Sequence, residues 1–285
     1  MNPQPGGFVI DGTLGGGGHA REIIARLAPG GTFLGVDWNR TSVRRTGEAL
    51  ATEFGSRGVR MLFAHGSYAN LPMMLRERRL PPADGLFLDL GLSSDELTGY
   101  GLSFAHDEPL DMRYGDHAAR PSATDLVDRA SREELARIIR TYGEDRNAER
   151  IATAIVRART ARRIRTTAEL ASLIERVVPR RGRLHPATRT FQALRIEVNH
   201  ELEELERALS ELTNIVHGGG RIAIITFHSL EDRLVKHRFA ELARAHAAQL
   251  VFKKPTIPGP DEIRRNPRSR SAKLRALELS DDHTA

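Results

Sequence analysis

The chain has 285 residues, enough for about two domains of roughly 150 residues or for one elaborated α/β domain. Hydrophobic residues at 40% and charged residues at 28% exclude wholesale disorder, and the absence of cysteine excludes a disulfide framework, thiolate metal sites and a cysteine nucleophile. The 43 basic and 37 acidic residues leave a formal net charge of only +6, so the distribution of charge is more informative than its total.

The N-terminal third predicts a parallel sheet. Short runs rich in β-forming residues, each bounded by turn residues, lie at 8–11, 33–37, 59–63 and 86–90, with helical patterns between the early ones. This alternation predicts parallel strands covered by helices on both faces. The first residues lack the basic start and apolar run of a signal peptide, and no apolar run is long enough to cross a bilayer. We therefore expect a cytoplasmic protein without a membrane partner.

The loop after the first predicted strand is glycine-rich, with the sequence DGTLGGGGH at 11–19. Glycines there let a ligand approach the backbone, and Asp37 ends the next strand about twenty residues on, where a carboxylate can accept both ribose hydroxyls. The ligand is then a dinucleotide or S-adenosylmethionine, unless the turn holds no ligand. Asp11 favours S-adenosylmethionine, because a carboxylate repels a pyrophosphate and attracts an ammonium and a sulfonium. His19 either contacts the cofactor or caps the following helix.

The fourth predicted strand runs into LDLGLSSDEL at 88–97. In open α/β sheets the ligand crevice lies beyond the carboxyl ends of the strands, which places Asp89 in the site. The alternative is a buried structural aspartate that caps the loop. The Asn-Pro-Pro-Tyr or Asp-Pro-Pro-Tyr motif of many amino-methylating enzymes is not present here.

A fifth β-rich run, at 221–227, follows only after about 130 residues, far beyond a normal crossover, which predicts an insertion. Helix starts are predicted where Ser131 precedes Glu134 and Thr166 precedes Glu169. One continuous apolar stripe of helical spacing is formed by Phe191, Leu194, Val198, Leu202, Leu205 and Leu209. The insertion is therefore expected to be helical.

Positive charge is concentrated in two segments. Residues 157–189 hold ten arginines against two acids, and residues 253–275 hold eight basic residues against two acids, so the rest of the chain is net acidic. This distribution favours a polyanion partner, and the alternative is an ordinary solvated surface. Aromatic residues at 5% argue against a base-stacking platform.

The sequence FHSLEDR at 227–233 follows the fifth predicted strand, so it is expected at the same end of the sheet as Asp89. His228 could contact a base or assist proton removal. The alternative is a helix start in which Ser229 is the N-cap, followed by acids in the first turn. A helix over about 230–247, a short strand at 250–252 and a last strand over about 272–279 would complete a seven-stranded sheet with an antiparallel edge, the usual architecture of S-adenosylmethionine-dependent methyltransferases.

Together these segments resemble the RsmH family, also called MraW, whose members are bacterial methyltransferases that modify the N4 amino group of a cytosine in the decoding centre of 16S rRNA. The matching stretches are DGTLGGGGH at 11–19, LDLGLSS at 88–94, LDMR at 110–113, TYGE at 141–144, HPATRTFQALRIEVN at 185–199, residues 201–205, FHSLEDR at 227–233 and NPRSRSAKLR at 266–275. They span nearly the whole chain. The chain starts close to its first predicted strand, without the His-x-Pro-Val-Leu leader typical of the family.

The resemblance implies a Rossmann-like class I methyltransferase fold with a seven-stranded, mostly parallel sheet, formed by residues 1–113 and 201–285. An all-helical RNA-recognition domain would be inserted at 114–200. The implied cofactor is S-adenosylmethionine, and the family's contacts fall on Gly17, Gly18, His19, Asp37, Tyr68, Asp89 and Glu96. From the glycine loop itself we also expect contacts with Asp11 and Gly15. Glu96 stands where the family usually has Gln, and Tyr68 where Phe is common.

The implied reaction is methyl transfer to 16S rRNA within the small ribosomal subunit. From their positions and chemistry, Asp89 and His228 are the expected catalytic residues, and no metal is expected. The expected RNA contacts are Ser93, Arg113, Arg163, Arg165, Arg189, Arg195 and His228. Both a monomer and a homodimer are compatible with the sequence. Two alternatives stay open, a catalytically inactive RNA-binding or ribosome-assembly factor with the same fold, and a nicotinamide-dependent dehydrogenase.

Overall fold

The computed structural model describes residues 1–91, 99–115, 120–180 and 184–281. The chain divides into two compact units, of which the first comprises Met1–Gly91 with Leu202–Ala285 and the second Leu92–Glu201. The expected boundary between residues 113 and 114 differs from this division. It falls inside the second unit, because Leu110 and Met112 are fully buried in the core of that unit.

The first unit contains a single seven-stranded sheet. Its strands are β1 (Phe8–Asp11), β2 (Thr32–Asp37), β3 (Arg60–His65), β4 (Ala83–Asp89), β5 (Val216–Thr226), β6 (Ala248–Leu250) and β7 (Lys273–Leu279). The strand order is β3-β2-β1-β4-β5-β7-β6, and every neighbouring pair is parallel except β5–β7 and β6–β7. The predicted fold class is confirmed. The antiparallel strand, however, is β7, which lies inside the sheet, and β6 rather than β7 forms the edge.

Helices cover both faces of this sheet. They are α1 (Gly18–Leu27), α2 (Arg40–Phe54), α3 (Leu71–Glu77), α9 (Glu201–Ser210), α10 (Leu212–Ile215), α11 (Ser229–Arg244) and α12 (Pro260–Arg265). Successive side chains of a strand point to opposite faces, so β1 contributes Ile10 to one buried cluster and Val9 to another. Burial on both faces explains why the strands read as continuous apolar runs.

The second unit is built from α4 (Ala123–Arg129), α5 (Arg132–Gly143), α6 (Ala148–Ala161), α7 (Thr167–Val177) and α8 (Thr188–Asn199), as the helical insertion predicts. Ser131 accepts the Glu134 N–H at the start of α5, and Thr166 forms a complete capping box at the start of α7. The apolar stripe predicted as one helix is divided between α8 and α9, because His200 has a left-handed backbone with φ of 54°. No helix in the described ranges is long and apolar enough to cross a membrane.

Candidate functional site

Three carboxylates meet at one edge of the sheet. Asp11, Asp37 and Asp89 are the last residues of β1, β2 and β4, which are neighbours in the order β2-β1-β4. Because parallel strands end at the same edge, this order brings together the three acids that the sequence singles out.

The glycine loop between β1 and α1 depends on glycine at specific positions. Gly15 and Gly17 have φ of 45° and 76°, in the left-handed region that favours glycine. A Cβ on Gly17 would also lie 2.6 Å from Thr46 Cγ2. A Cβ on Gly16 or Gly18 would meet no atom within 4 Å, so these two glycines border open space. The loop is therefore tightly folded against α2 and open on its other side.

Asp37 holds the glycine loop in place. Its carboxylate is 7% exposed, and Oδ2 accepts the Gly15 N–H at 2.7 Å while Oδ1 accepts the Asn39 N–H at 2.8 Å. The predicted ribose acceptor thus also anchors the loop.

Thr13 links the ends of β1 and β4, a role that the sequence analysis missed. Its Oγ1 accepts the Asp89 N–H at 2.7 Å and donates to Asp11 Oδ1 at 3.4 Å, and its N–H donates to the same Asp11 oxygen at 3.1 Å. The available signal was a hydroxyl residue two positions after an aspartate in a turn. Thr13 thereby fixes the backbone from which the Asp89 side chain extends.

Asp11 is 1% exposed, and burial raises the pKa of its carboxyl to about 7. The Thr13 N–H and the nearby His19 act to lower this pKa, while the charges of Asp37 and Asp89 act to raise it. A buried carboxylate of this kind is stabilised by an added positive charge. The site is therefore chemically suited to a cationic ligand.

His19 pairs with Asp89 across the same edge. Its Nε2 lies 3.5 Å from Asp89 Oδ2, and its ring centroid lies 4.6 Å from that of Phe87. The hydrogen bond to Asp89 is the main cause that raises the pKa of His19. The alternative that His19 caps α1 is wrong, because Gly17 occupies the N-cap position and His19 lies inside the helix.

Tyr68, another predicted cofactor contact, follows β3 and is 9% exposed. It packs beside the glycine loop, since a Cβ on Gly12 would lie 3.0 Å from the Tyr68 Cβ. The predicted contacts Ser93 and Glu96 lie outside the described residues. Tyr68 is therefore the only one of these three residues that the described structure places at the site edge.

His228 forms the start of α11. It is the N-cap, a position that the sequence analysis assigned to Ser229, and its Nδ1 accepts the Glu231 N–H at 3.4 Å. Its Nε2 lies 3.0 Å from Glu231 Oε1, and its side chain is 8% exposed. An imidazole nitrogen can replace a hydroxyl as the capping acceptor, which is why the box is shifted by one residue. These contacts show a capping role, and the catalytic role of His228 stays a prediction.

Two of the predicted RNA contacts are held in ion pairs within the second unit. Arg113 donates from Nε and Nη2 to Asp111, both at 2.7 Å, and Arg195 donates in the same forked way to Glu201 at 2.8 and 2.9 Å. Their side chains are 24% and 19% exposed. The forked donors that would suit a phosphate are thus occupied by carboxylates. A direct RNA contact by either arginine stays a prediction.

The other predicted arginines are exposed. Arg163 is 70% exposed with its Nε 3.6 Å from Asp128 Oδ2, Arg165 is exposed, and Arg189 donates to the Glu144 carbonyl at 2.8 Å. The structure thus presents these three side chains at the surface of the second unit.

Comparisons with known proteins agree on one family. The model of the MraW methylase family matches residues 1–280. Ribosomal RNA small subunit methyltransferase H of Pelobacter propionicus is 46% identical over 299 residues, covering 98% of this chain and 94% of that protein. The proteins of the same name from Trichlorobacter lovleyi and Persephonella marina are 44% identical over 298 residues and 43% identical over 274 residues. They cover 98% and 95% of this chain, and the alignments span 94% and 92% of those proteins.

Proposed function

Because the chain belongs to the MraW methylase family, we propose that it transfers a methyl group from S-adenosylmethionine to the N4 amino group of cytosine 1402 in 16S rRNA. The names of its relatives support small-subunit rRNA as the substrate. The proposed partner is the small ribosomal subunit, and the proposed reaction belongs to the cytoplasm.

One observation carries the proposal, the buried Asp11 carboxylate beneath an open glycine loop. Burial raises the pKa of this carboxyl to about 7, so an added positive charge would stabilise its ionised form, and the space beside Gly16 and Gly18 lets a ligand approach the loop. These residues fit a cationic nucleoside better than a pyrophosphate. Asp11 would face the cationic end of S-adenosylmethionine and Asp37 its ribose. When bound, the cofactor supplies a methyl group activated by a sulfonium.

Asp89 is the residue that we propose acts on the cytosine amine. The amine lone pair is delocalised into the ring, so an acceptor for one N4–H restores nucleophilicity. The Asp89 carboxylate is 28% exposed and sits on backbone held by Thr13, which gives it a fixed position at the site edge. Most of the acceleration then comes from alignment of the amine within near-attack distance. Asp89, the acceptor of that N4–H, would take the proton that the amine loses during or after transfer, and the cofactor would leave as a neutral thioether.

The second unit is proposed to bind RNA. A base must leave its stack to reach a site at a sheet edge, and contacts to the neighbouring backbone stabilise that state. The exposed arginines of the second unit suit this task, among them Arg163, Arg165 and Arg189.

To test the proposal, the purified protein is incubated with S-adenosylmethionine and small ribosomal subunits from cells that lack this protein. The methyl groups on the 16S rRNA of these subunits are then mapped. The wild type should add one methyl to the N4 of a decoding-centre cytosine. Asp89→Ala should lose this activity by at least a hundredfold and still bind S-adenosylmethionine in calorimetry. Asp37→Ala should bind the cofactor more weakly.

Three outcomes would contradict the proposal. A wild-type protein that binds rRNA but no S-adenosylmethionine would be an assembly factor, and one that binds NAD instead would be a dehydrogenase. A methyl group on another atom or another base would overturn the N4-cytosine assignment.

A further inference from the structure

A long connection joins β6 to β7 in the first unit. We call residues 251–271 the edge segment. It is ordered by an antiparallel bridge in which Thr256 and Leu274 exchange two hydrogen bonds of 2.9 Å, by the short helix α12 and by the buried Ser269. The edge segment is thus a defined surface, although it contributes little to the core.

The strand register places this segment at the carboxyl ends of the parallel strands, where the candidate site also lies. Lys273, the first residue of β7, lies opposite Thr226 at the end of β5, and Ile225 lies opposite Asp89 in the β4–β5 pair. Strand β7 therefore begins at the same end of the sheet at which β1, β2 and β4 end. With neighbouring strands about 4.8 Å apart, the start of β7 is about 10 Å from the end of β4.

The exposed positive charge of the C-terminal region belongs to the edge segment. The segment has two acids, Asp261 and Glu262, and its exposed cations are Lys253, Lys254, Arg264, Arg265, Arg268 and Arg270.

The two basic residues that follow the segment are used internally. Lys273 and Arg275 donate to the largely buried Asp232 at 3.0 and 2.7 Å, which ties β7 to α11. The structure thus separates a structural pair of cations from a surface of exposed ones.

We propose that the edge segment binds phosphates of the rRNA strand next to the reacting base, an inference that rests on the proposed function. A base delivered to Asp89 brings its flanking phosphates within reach of a basic surface about two strands away. The net positive charge matches a polyanion, and long Lys and Arg side chains suit phosphates that lie at varied positions. The first unit then contributes to RNA binding as well as to chemistry.

The inference is tested with two variants that each lose four exposed cations. The edge variant combines Lys253→Gln, Lys254→Gln, Arg265→Gln and Arg270→Gln. The control variant removes the same number of charges at the opposite end of the sheet, at or near the amino ends of the parallel strands. It combines Arg60→Gln, Arg76→Gln, Arg78→Gln and Arg244→Gln. Binding to protein-free 16S rRNA is measured over a range of salt concentrations, and methyl transfer is measured on small subunits.

For the edge variant, the slope of log affinity against log salt should be less steep by about 2 to 3, since each lost phosphate contact on single-stranded RNA is worth about 0.7. We expect its KM for the subunit to rise tenfold or more, with S-adenosylmethionine binding unchanged. The control variant should keep the wild-type slope.

Equal slopes for the two variants would overturn the inference. So would a loss confined to assembled subunits, since it would assign the edge segment to a ribosomal protein. Failure of the wild type to methylate rRNA would overturn the proposed function instead, because the salt slope is read from binding alone.

Discussion

Replacing Asp11 by asparagine should stabilise the ligand-free protein and weaken its binding of S-adenosylmethionine. The carboxylate is 1% exposed, and burial raises its pKa to about 7. Asparagine has nearly the same shape, carries no charge and keeps an oxygen for the Thr13 N–H, which donates to Asp11 at 3.1 Å. The substitution therefore removes the buried charge with little change in packing.

The sign and size of the effect follow from the pKa. An ordinary aspartate titrates near 3.8, so between that pH and about 7 the folded protein keeps a proton that the unfolded chain has lost. The stability of the wild type consequently falls as the pH rises through this window. At about 1.4 kcal/mol for each pH unit, the total reaches up to roughly 4 kcal/mol above pH 7. Asp11→Asn should gain most near pH 8 and almost nothing near pH 4.

Urea unfolding from pH 4 to 8.5 measures the stability, and calorimetry measures the cofactor affinity. We expect Asp11→Asn to bind S-adenosylmethionine tenfold or more weakly, and wild-type affinity to increase as the pH rises through about 7. Asp84→Asn is the matched control. Burial acts to raise the pKa of Asp84, but hydrogen bonds from the Phe8 N–H and His217 lower it overall. That variant should therefore lose stability at neutral pH and approach the wild type in acid.

Two results would refute this reasoning. If Asp11→Asn were no more stable than the wild type at pH 8, the buried carboxylate would not destabilise the ligand-free fold. If it bound S-adenosylmethionine with unchanged affinity at every pH, Asp11 would not face the cationic part of the ligand.

Two further predictions concern hydrogen bonds at the same edge. Thr13→Val removes the acceptor of the Asp89 N–H, and we expect kcat to fall about tenfold, equivalent to about 1.4 kcal/mol, with KM for the cofactor nearly unchanged. Thr13→Ser keeps a hydroxyl and should recover most of the rate. His228→Asn exchanges one capping side chain for another, so the urea midpoint should stay near the wild-type value, whereas His228→Ala should lose about 1 kcal/mol of stability.

Equal rates for the valine and serine variants would show that the Thr13 hydroxyl does not position Asp89. A large loss of turnover in His228→Asn at unchanged stability would show that the imidazole takes part in proton removal.

The fold was predictable from the sequence wherever the pattern of apolar side chains indicated a strand or a helix. The central strands were evident as apolar runs, because both faces of the sheet are buried. The start of β5 was missed by five residues, because residues 217–220 form an irregularity in the strand, between Val216 paired with Ala83 and Arg221 paired with Gly85. A Cβ on Gly220 would lie 2.4 Å from Val216 Cγ1, so glycine is needed where the chain comes back close to Val216. The break between α8 and α9 at His200 was missed because a single residue with a left-handed backbone does not change the spacing of the apolar residues on either side.

The site was predictable where chain order determines position. Asp37 and Asp89 were found because they end strands of one parallel sheet. Thr13 was missed because its partner, the Asp89 N–H, lies 76 residues away in the sequence. The ion pairs of Arg113 and Arg195 were not foreseen either, since the sequence does not show whether a carboxylate lies beside a basic side chain.

The contacts at the site edge also bear on how a ligand would bind. Asp37 holds the Gly15 N–H and Thr13 holds the Asp89 N–H, so both sides of the glycine loop are fixed by hydrogen bonds within the protein. A ligand therefore does not have to order the loop, because the loop has already lost its conformational entropy when the protein folds. The remaining unfavourable feature is the burial of the Asp11 carboxylate. A cation that relieves it would bind more tightly than a neutral nucleoside of the same shape, which is how the proposed site would select a sulfonium over a neutral thioether.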